Sequence, residues 1–551
     1  MKNRIFVILL CVLAVVLVGS QYFYGRYDLT VDKRYTISQP VKALLKTIDQ
    51  PVRVTLFLDG ELNSGFLQLQ EATLDLLDEF EQYVSAELDV EIEDPNGFSD
   101  ADKRQFAEVM YRRGFKPTEV NERDRDGKLI KQTLFPIAEI AVGEKSQWVS
   151  LLLNVRGRSG AENLNASIEN LEYTLSDALR QLTSAEVSKI VFLEGHDEIP
   201  EPYIYDAELA LSRYFQIDRG SLTDSVGELD GYKAVVVAAP QSQFSEADKY
   251  VIDQYIMQGG NVLWIIDGVM LSEDGLSEDG YTPAIPLDVN LTDMLFRYGM
   301  RVNPVLVQDQ QCLSVPVNMS SDPSSPDYQP MPFYYAPVLL TSFESPITKN
   351  VTQVMSSFVS TVDFVGDGAG QKRELLLATS NASRLVPVPA KIDVMELDLE
   401  QTVFQYAYMP VAVSIEGRFE SLFAHRVKPI DVKGQEALLA EGQAKQVLVG
   451  SGSVVRNDMQ KGEPLPVGYD RMSNMMFGNR DFITNAVLYL ADSEGWIQLR
   501  NKEIKLRMLN TNVAIGSRGR IQAITIIAPV LILALIGACV FWGRKKRYRV
   551  G

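Results

Sequence analysis

Histidine and cysteine are scarce in this chain of 551 residues: it holds two histidines, His196 and His425, and three cysteines. Two histidines exclude a metal centre built from several imidazoles. Cys11 and Cys539 lie in apolar stretches and Cys312 alone lies between them, so the intervening body can form no internal disulfide. A chain of this size buries enough core without such staples, which leaves the redox compartment open. No Cys-x-x-Cys occurs, which excludes dithiol redox chemistry. Nor is there a Gly-x-x-x-x-Gly-Lys-Ser/Thr phosphate loop or a Gly-x-Ser-x-Gly or Gly-x-Cys-x-Gly nucleophile elbow. Any nucleotide hydrolysis would therefore belong to another chain. Basic residues are outnumbered, 53 against 72 acids, for a net charge of −19. Such a balance argues against nucleic-acid binding, which needs a basic stripe to displace counterions.

Charge is also missing from two long runs, one at each end. Residues 521–542 contain no charged side chain and one proline, Pro529. As a helix that run is about 33 Å long, enough to cross a hydrocarbon core. Arg544, Lys545, Lys546, Arg547 and Arg549 follow it, and cations of this kind are retained on the cytoplasmic side. At the other end Lys2 and Arg4 precede an uncharged run over 5–24. Val18-Gly19-Ser20 offers a signal-peptidase site, but the run continues through Tyr22, Phe23 and Tyr24, which suits an uncleaved anchor. The expectation is a two-span membrane protein of the bacterial inner membrane. Both termini would be cytoplasmic, with a large periplasmic ectodomain between the spans.

Within the body the pattern is α/β. Residues 1–24 are the first anchor and 25–50 a membrane-exit collar, in which Ser38 caps a helix over 40–48 with Pro40 in its first turn. Residues 51–185 run β-α-β-α-β-β-α, the order of a thioredoxin-like unit without its redox cysteines, closing with a hairpin of 136–142 on 147–153 and a helix over 164–182. Residues 186–500 alternate strands at 189–193, 234–238 and 262–266 with helices, as in a doubly wound sheet. A β-rich insertion occupies about 310–440, where proline and serine cluster at 315–337. A basic linker at 501–520, a C-terminal transmembrane helix at 521–543 and a basic tail at 544–551 complete the plan.

Directly after the strand 189–193 comes the densest polar cluster, Glu194-Gly195-His196-Asp197-Glu198. Ligands of open α/β sheets sit beyond the carboxyl ends of the strands, and Asp267 ends another such strand. Imidazole and carboxylates there could take a cation or a sugar hydroxyl; the alternative is a turn whose polar groups satisfy backbone amides. Arg26, Asp28, Lys33, Arg34 and Tyr35 form either a polar collar or a docking strip for a membrane partner. His425 has only Arg426 beside it and reads as a structural or surface residue. A nucleophile could come only from Ser242 or Cys312.

Four stretches together carry a resemblance: 26–38, the strand and turn 189–198, FSEADKYVIDQYIMQGGNVLWIID at 244–267, and GNRDFITNAVLYLADSEGWIQLRNK at 478–502. The chain resembles the gliding motility-associated ABC transporter substrate-binding proteins of the Bacteroidetes (GldG type), within a wider group of auxiliary ABC transport components. The resemblance implies that the second domain has a glutamine-amidotransferase-like fold, here without the nucleophile an enzyme would need. It also implies an ABC permease and a separate ATPase as partners, and a link to gliding motility. The resulting expectation is a non-catalytic, membrane-anchored periplasmic subunit of an ABC transporter complex, with no cofactor. The alternative is a module that binds an envelope glycan or other ligand without a transport role.

Overall fold

The structure is a computed structural model. It describes residues 36–123, 129–155, 158–184, 187–272, 275–276, 280–320, 325, 327–393, 403–429, 432–434, 438–492, 495–501 and 518–547. The chain forms two compact units, Met1–Glu503 and Ile504–Gly551.

The first unit begins with a helix, α1 (Gln39–Thr47), that buries Val41 and Leu45. Proline stands in its first turn as expected. Ser38 occupies the N-cap, but its hydroxyl makes no capping bond; its N–H instead donates to Glu172 at 2.7 Å. A four-stranded sheet follows, made of β1 (Val52–Leu56), β2 (Leu88–Ile92), β5 (Ile137–Val142) and β6 (Lys145–Ser150), in the order β2-β1-β5-β6. β1 pairs parallel with β2 and antiparallel with β5. Helices α2 (Ser64–Glu81), α3 (Asp100–Arg112) and α4 (Gly160–Thr183) accompany it. Asn63 caps α2 through the N–H groups of Gly65 and Phe66. Ser159 and Glu162 close a reciprocal capping box on α4. A hairpin of β3 (Thr118–Arg123) and β4 (Leu129–Leu134) stands apart from the sheet, where no strands were expected.

The larger sheet has ten strands. They are β7 (Lys189–Glu194), β8 (Gln216–Ser221), β9 (Tyr232–Ala238), β10 (Val262–Ile265), β11 (Cys312–Asn318), β12 (Tyr328–Thr341), β13 (Val354–Met355), β14 (Gln371–Ala378), β15 (Pro410–Glu420) and β16 (Glu441–Val449). The order is β11-β12-β14-β15-β16-β10-β9-β7-β8, with β13 paired to β12. From β8 to β16 the strands are parallel. Their residues alternate between two covered faces. Ile190, Phe192, Val236, Leu263 and Val449 face α5 (Tyr205–Leu211) and α8 (Asn479–Ala491). Val191, Val235, Val237 and Trp264 face α6 (Glu246–Met257) and α7 (Thr292–Arg297). Each fully buried aliphatic side chain of this kind contributes about 1.5–3 kcal/mol. In the β-rich stretch β15 pairs antiparallel with β16 and carries β14, β12 and β11 outward on the same sheet, while the strands Val362–Phe364, Ser383–Pro387 and Ala390–Asp393 pair in small separate sheets.

The second unit holds one described helix, α9 (Arg518–Arg547), of 30 residues with Pro529 inside it. Among the described residues no helix is long and apolar enough to cross a membrane. This finding corrects the expected two-span fold class and the expected inner-membrane placement with cytoplasmic termini. Crossing takes about 20 consecutive apolar residues, or about 30 Å; α9 has cations at both its ends and Pro529 inside it, and it does not meet that requirement among the described residues. The N-terminal run over 5–24 lies outside the described residues.

Candidate functional site

The polar cluster after β7 is built by two left-handed backbone positions, Gly195 at φ +115° and Asp197 at φ +54°. Between them the carbonyl of His196 accepts the N–H groups of Gln241 and Ser242, each at 2.9 Å. The turn after β7 is thereby fastened to the turn after β9. The imidazole of His196 stacks on Phe244, with ring centroids 3.5 Å apart and planes within 10°. Its Nδ1 lies 3.1 Å from Glu198 Oε1 and its Nε2 lies 3.3 Å from Asp248 Oδ2. Glu198 also accepts the backbone N–H of His196 at 2.7 Å. Asp248 closes the capping box of α6, accepting Ser245 N–H at 3.0 Å and Ser245 Oγ–H at 2.6 Å.

Burial alone would lower the pKa of His196. The hydrogen bonds and charges of Asp248 and Glu198 overrule it and raise the ring to about 9. Asp248 falls below the usual carboxylate range despite burial, because His196 and Ser245 bond to its charged form. At neutral pH the cluster is an imidazolium between carboxylates, with only 8% of the His196 side chain exposed. Both ring nitrogens are occupied, so the ring is poorly placed to act as a base or a metal ligand.

The other expected site residues point elsewhere. Glu194 accepts from Arg219 Nε at 2.7 Å, and Arg219 also reaches Glu208 at 2.5 Å. Asp197 accepts the hydroxyl of Ser242. Asp267 accepts the N–H of Gly452 at 2.7 Å. Of the five residues the structure brings His196 and Glu198 into direct contact; Glu194, Asp197 and Asp267 are engaged with other partners. Phe244 and Asp248 complete the cluster and were not singled out from the sequence. Their signal was the Ser245-x-x-Asp248 capping pattern, which fixes a carboxylate at the start of α6. Arg26, Asp28, Lys33, Arg34 and Tyr35 lie outside the described residues.

Neither candidate nucleophile is activated. Ser242 donates to a carboxylate and not to an imidazole. Burial, with Asp309 nearby, pushes the Cys312 thiol up to about 11, which leaves little thiolate at neutral pH. Among the described residues no group of three or more His, Cys, Asp or Glu side chains could hold a metal ion. A second concavity of about 890 Å³ opens beside His425. Its acid Asp293 is already bonded to Lys249 at 2.8 Å and to Arg426 at 2.6 Å.

A family model described as ABC-type uncharacterized transport system matches residues 188–486, more than half of the chain. A second, described as a domain of unknown function, matches residues 31–141. No curated protein matches the chain. Among solved structures the chain is similar to the mmIFT52 N-terminal domain, at 14% identity over 56% of this chain and 99% of that one, with a TM-score of 0.32. A putative ThuA-like protein from Parabacteroides merdae matches at 11% identity over 56% of this chain and 90% of that one, with a TM-score of 0.29. The exo-beta-1,4-mannosidase Op5Man5 from Opitutaceae bacterium strain TAV5 matches at 10% identity over 70% of this chain and 45% of that one, with a TM-score of 0.21. At such scores these likenesses carry no argument.

Proposed function

The chain belongs to the family of ABC-type uncharacterized transport systems, and from that premise we propose that it is a non-catalytic auxiliary component working with a separate permease and a separate ATPase. The observation that carries this reading is the span of the family match, 188–486, which takes in every strand of the ten-stranded sheet. The match covers that sheet, and beside it His196 and Ser242 are bonded to neighbouring carboxylates. That favours a scaffold that binds other subunits over a centre that turns over substrate. The absence of a phosphate-loop sequence supports placing ATP hydrolysis in a different chain.

Affinity purification of the tagged full chain from its native cells, with mass spectrometry of what accompanies it, tests this. A permease and an ATPase in fixed ratio are expected; a chain that is repeatedly recovered alone refutes the reading. The process served is gliding motility on the resemblance to GldG-type components. Deletion of the gene should then stop surface gliding and leave growth intact. The glycan-binding alternative has less support, because Glu194, His196, Asp197, Glu198 and Asp267 each have a partner inside the protein.

A further inference from the structure

A crevice of about 250 Å³ separates the two sheets of the first unit. Lys145, at the start of β6, reaches it from the four-stranded sheet, and Arg213, just after α5, from the ten-stranded one. Tyr173, Tyr214 and Trp496 line it between them.

The described acids around this space, Asp177 and Asp492, are engaged. Asp177 accepts from Arg180 at 2.7 Å and from Gln181 at 2.8 Å. Asp492 accepts the N–H groups of Gly495 and Ile497, each at 2.9 Å. Of the three cations that line it, Arg180 is the one paired with Asp177; among the described residues neither Lys145 nor Arg213 forms an ion pair. In a chain with 72 acids and 53 bases, a base has a surplus of potential partners. One solvated surface cation would mean little, but here two, one on β6 and one between α5 and β8, line the same cavity. The phenols of Tyr173 and Tyr214 also make no hydrogen bond among the described residues. Burial raises both well above the ordinary tyrosine range, so they stay protonated and can donate. Clefts between two packed halves that gather convergent polar groups are a usual place for small ligands.

We propose that this crevice binds one small anion, a phosphate or a carboxylate, held between Lys145 and Arg213 with the hydroxyls of Tyr173 and Tyr214 donating to it. The volume equals that of about eight waters at about 30 Å³ each, which limits the ligand to roughly ten heavy atoms. A guanidinium and an ammonium in one lining suit an anion with several acceptor oxygens. The site stands independently of the transporter reading, since no permease or ATPase enters the argument.

Titration calorimetry of the full chain with inorganic phosphate and, separately, with malonate tests the assignment. Saturable binding of one anion per chain is expected. Saturation by phosphate alone assigns a phosphate ligand, and saturation by malonate alone a carboxylate. The double variant Lys145→Ala with Arg213→Ala should weaken binding at least tenfold, and Tyr214→Phe should weaken it severalfold. Lys103→Ala, away from the crevice, should leave it unchanged. Lys145 and Arg213 are exposed, so the double variant should keep the melting temperature of the parent, which separates loss of binding from loss of fold. No saturable heat with either anion, or equal affinity in the double variant, overturns the proposal.

Discussion

Replacing His196 by Gln tests whether the imidazolium is a pin between β7 and α6. The folded ring keeps its proton to about pH 9 against an ordinary value of 6.5. Burial opposes that proton, and the hydrogen bonds and charges of Asp248 and Glu198 win. A group whose folded pKa is raised contributes stability that is complete below its unfolded pKa and is lost as pH climbs through the folded value. The window therefore runs from about pH 6.5 to pH 9. The gap, at about 1.4 kcal/mol for each tenfold, sets a ceiling of about 3 kcal/mol. Solvent at the rim of the turn brings the expected figure to about 2 kcal/mol. The assay is urea unfolding at pH 6 and pH 9.5, on the full chain and on His196→Gln. The parent should lose about 2 kcal/mol more than the variant across that interval. The chain has only two histidines, so histidine-labelled magnetic resonance spectra carry two ring signals, and His425→Gln assigns them. Equal pH dependence in parent and variant, or a His196 signal with its midpoint near 6.5, refutes the reasoning.

Asp206 is 7% exposed and accepts the N–H of Val467 at 2.8 Å and Arg480 Nε at 3.0 Å; Asp206→Ala orphans both donors and should cost about 3 kcal/mol by calorimetric melting. Gly417 has φ +142°, and a Cβ there would stand 2.3 Å from the carbonyl oxygen of Gly370; Gly417→Ala should cost about 2 kcal/mol or more and speed amide exchange in β14 and β15, with unchanged exchange as the contrary result. Ser159→Ala breaks a complete capping box and should cost about 1 kcal/mol. Ser38→Ala, by contrast, removes a buried hydroxyl without a partner, so its melting temperature should stay level or rise; a drop as large as that of Ser159→Ala would contradict the cap geometry.

How far the sequence could be read depends on how local each signal is. The strands near 189, 234 and 262 are legible because both their faces are buried, which demands an unbroken apolar run. Helix α6 is legible from its punctuation, Ser245 before it and Gly259 after it. The hairpin of β3 and β4 was missed because its sequence, TEVNER and LIKQTL, mixes charge into the alternation that marks a half-buried strand. The partners of β11 to β15 could not be read at all, since which strand pairs with which is a long-range matter. The cluster around His196 was visible as polar residues after a strand. That its ring is closed off by Phe244 and Asp248 was not, because those residues lie about fifty positions on and only the fold brings them back. Helix α9 does form, yet among the described residues it is not long and apolar enough to cross a membrane.

The short turn Trp496–Asn501 bears on how such a component could work. Trp496 and Leu499, 5% and 8% exposed, pack into the core of the four-stranded sheet, while Ile497, at 2%, packs into that of the ten-stranded sheet. Arg180 lies over the Trp496 ring at 5.4 Å and Arg500 over Tyr173 at 5.2 Å. Arg500 also donates to Asn485 on α8. One short stretch of backbone is thus rooted in both halves at once. Pulling it from either half would expose an anchor worth about 1.5–3 kcal/mol. Trp496 also lines the crevice that the two halves enclose. A ligand held between Lys145 and Arg213 would add its own binding energy to the same junction. If that ligand binds the stiffened turn more tightly, reciprocity requires that whatever tightens the turn favours the bound ligand by the same free energy.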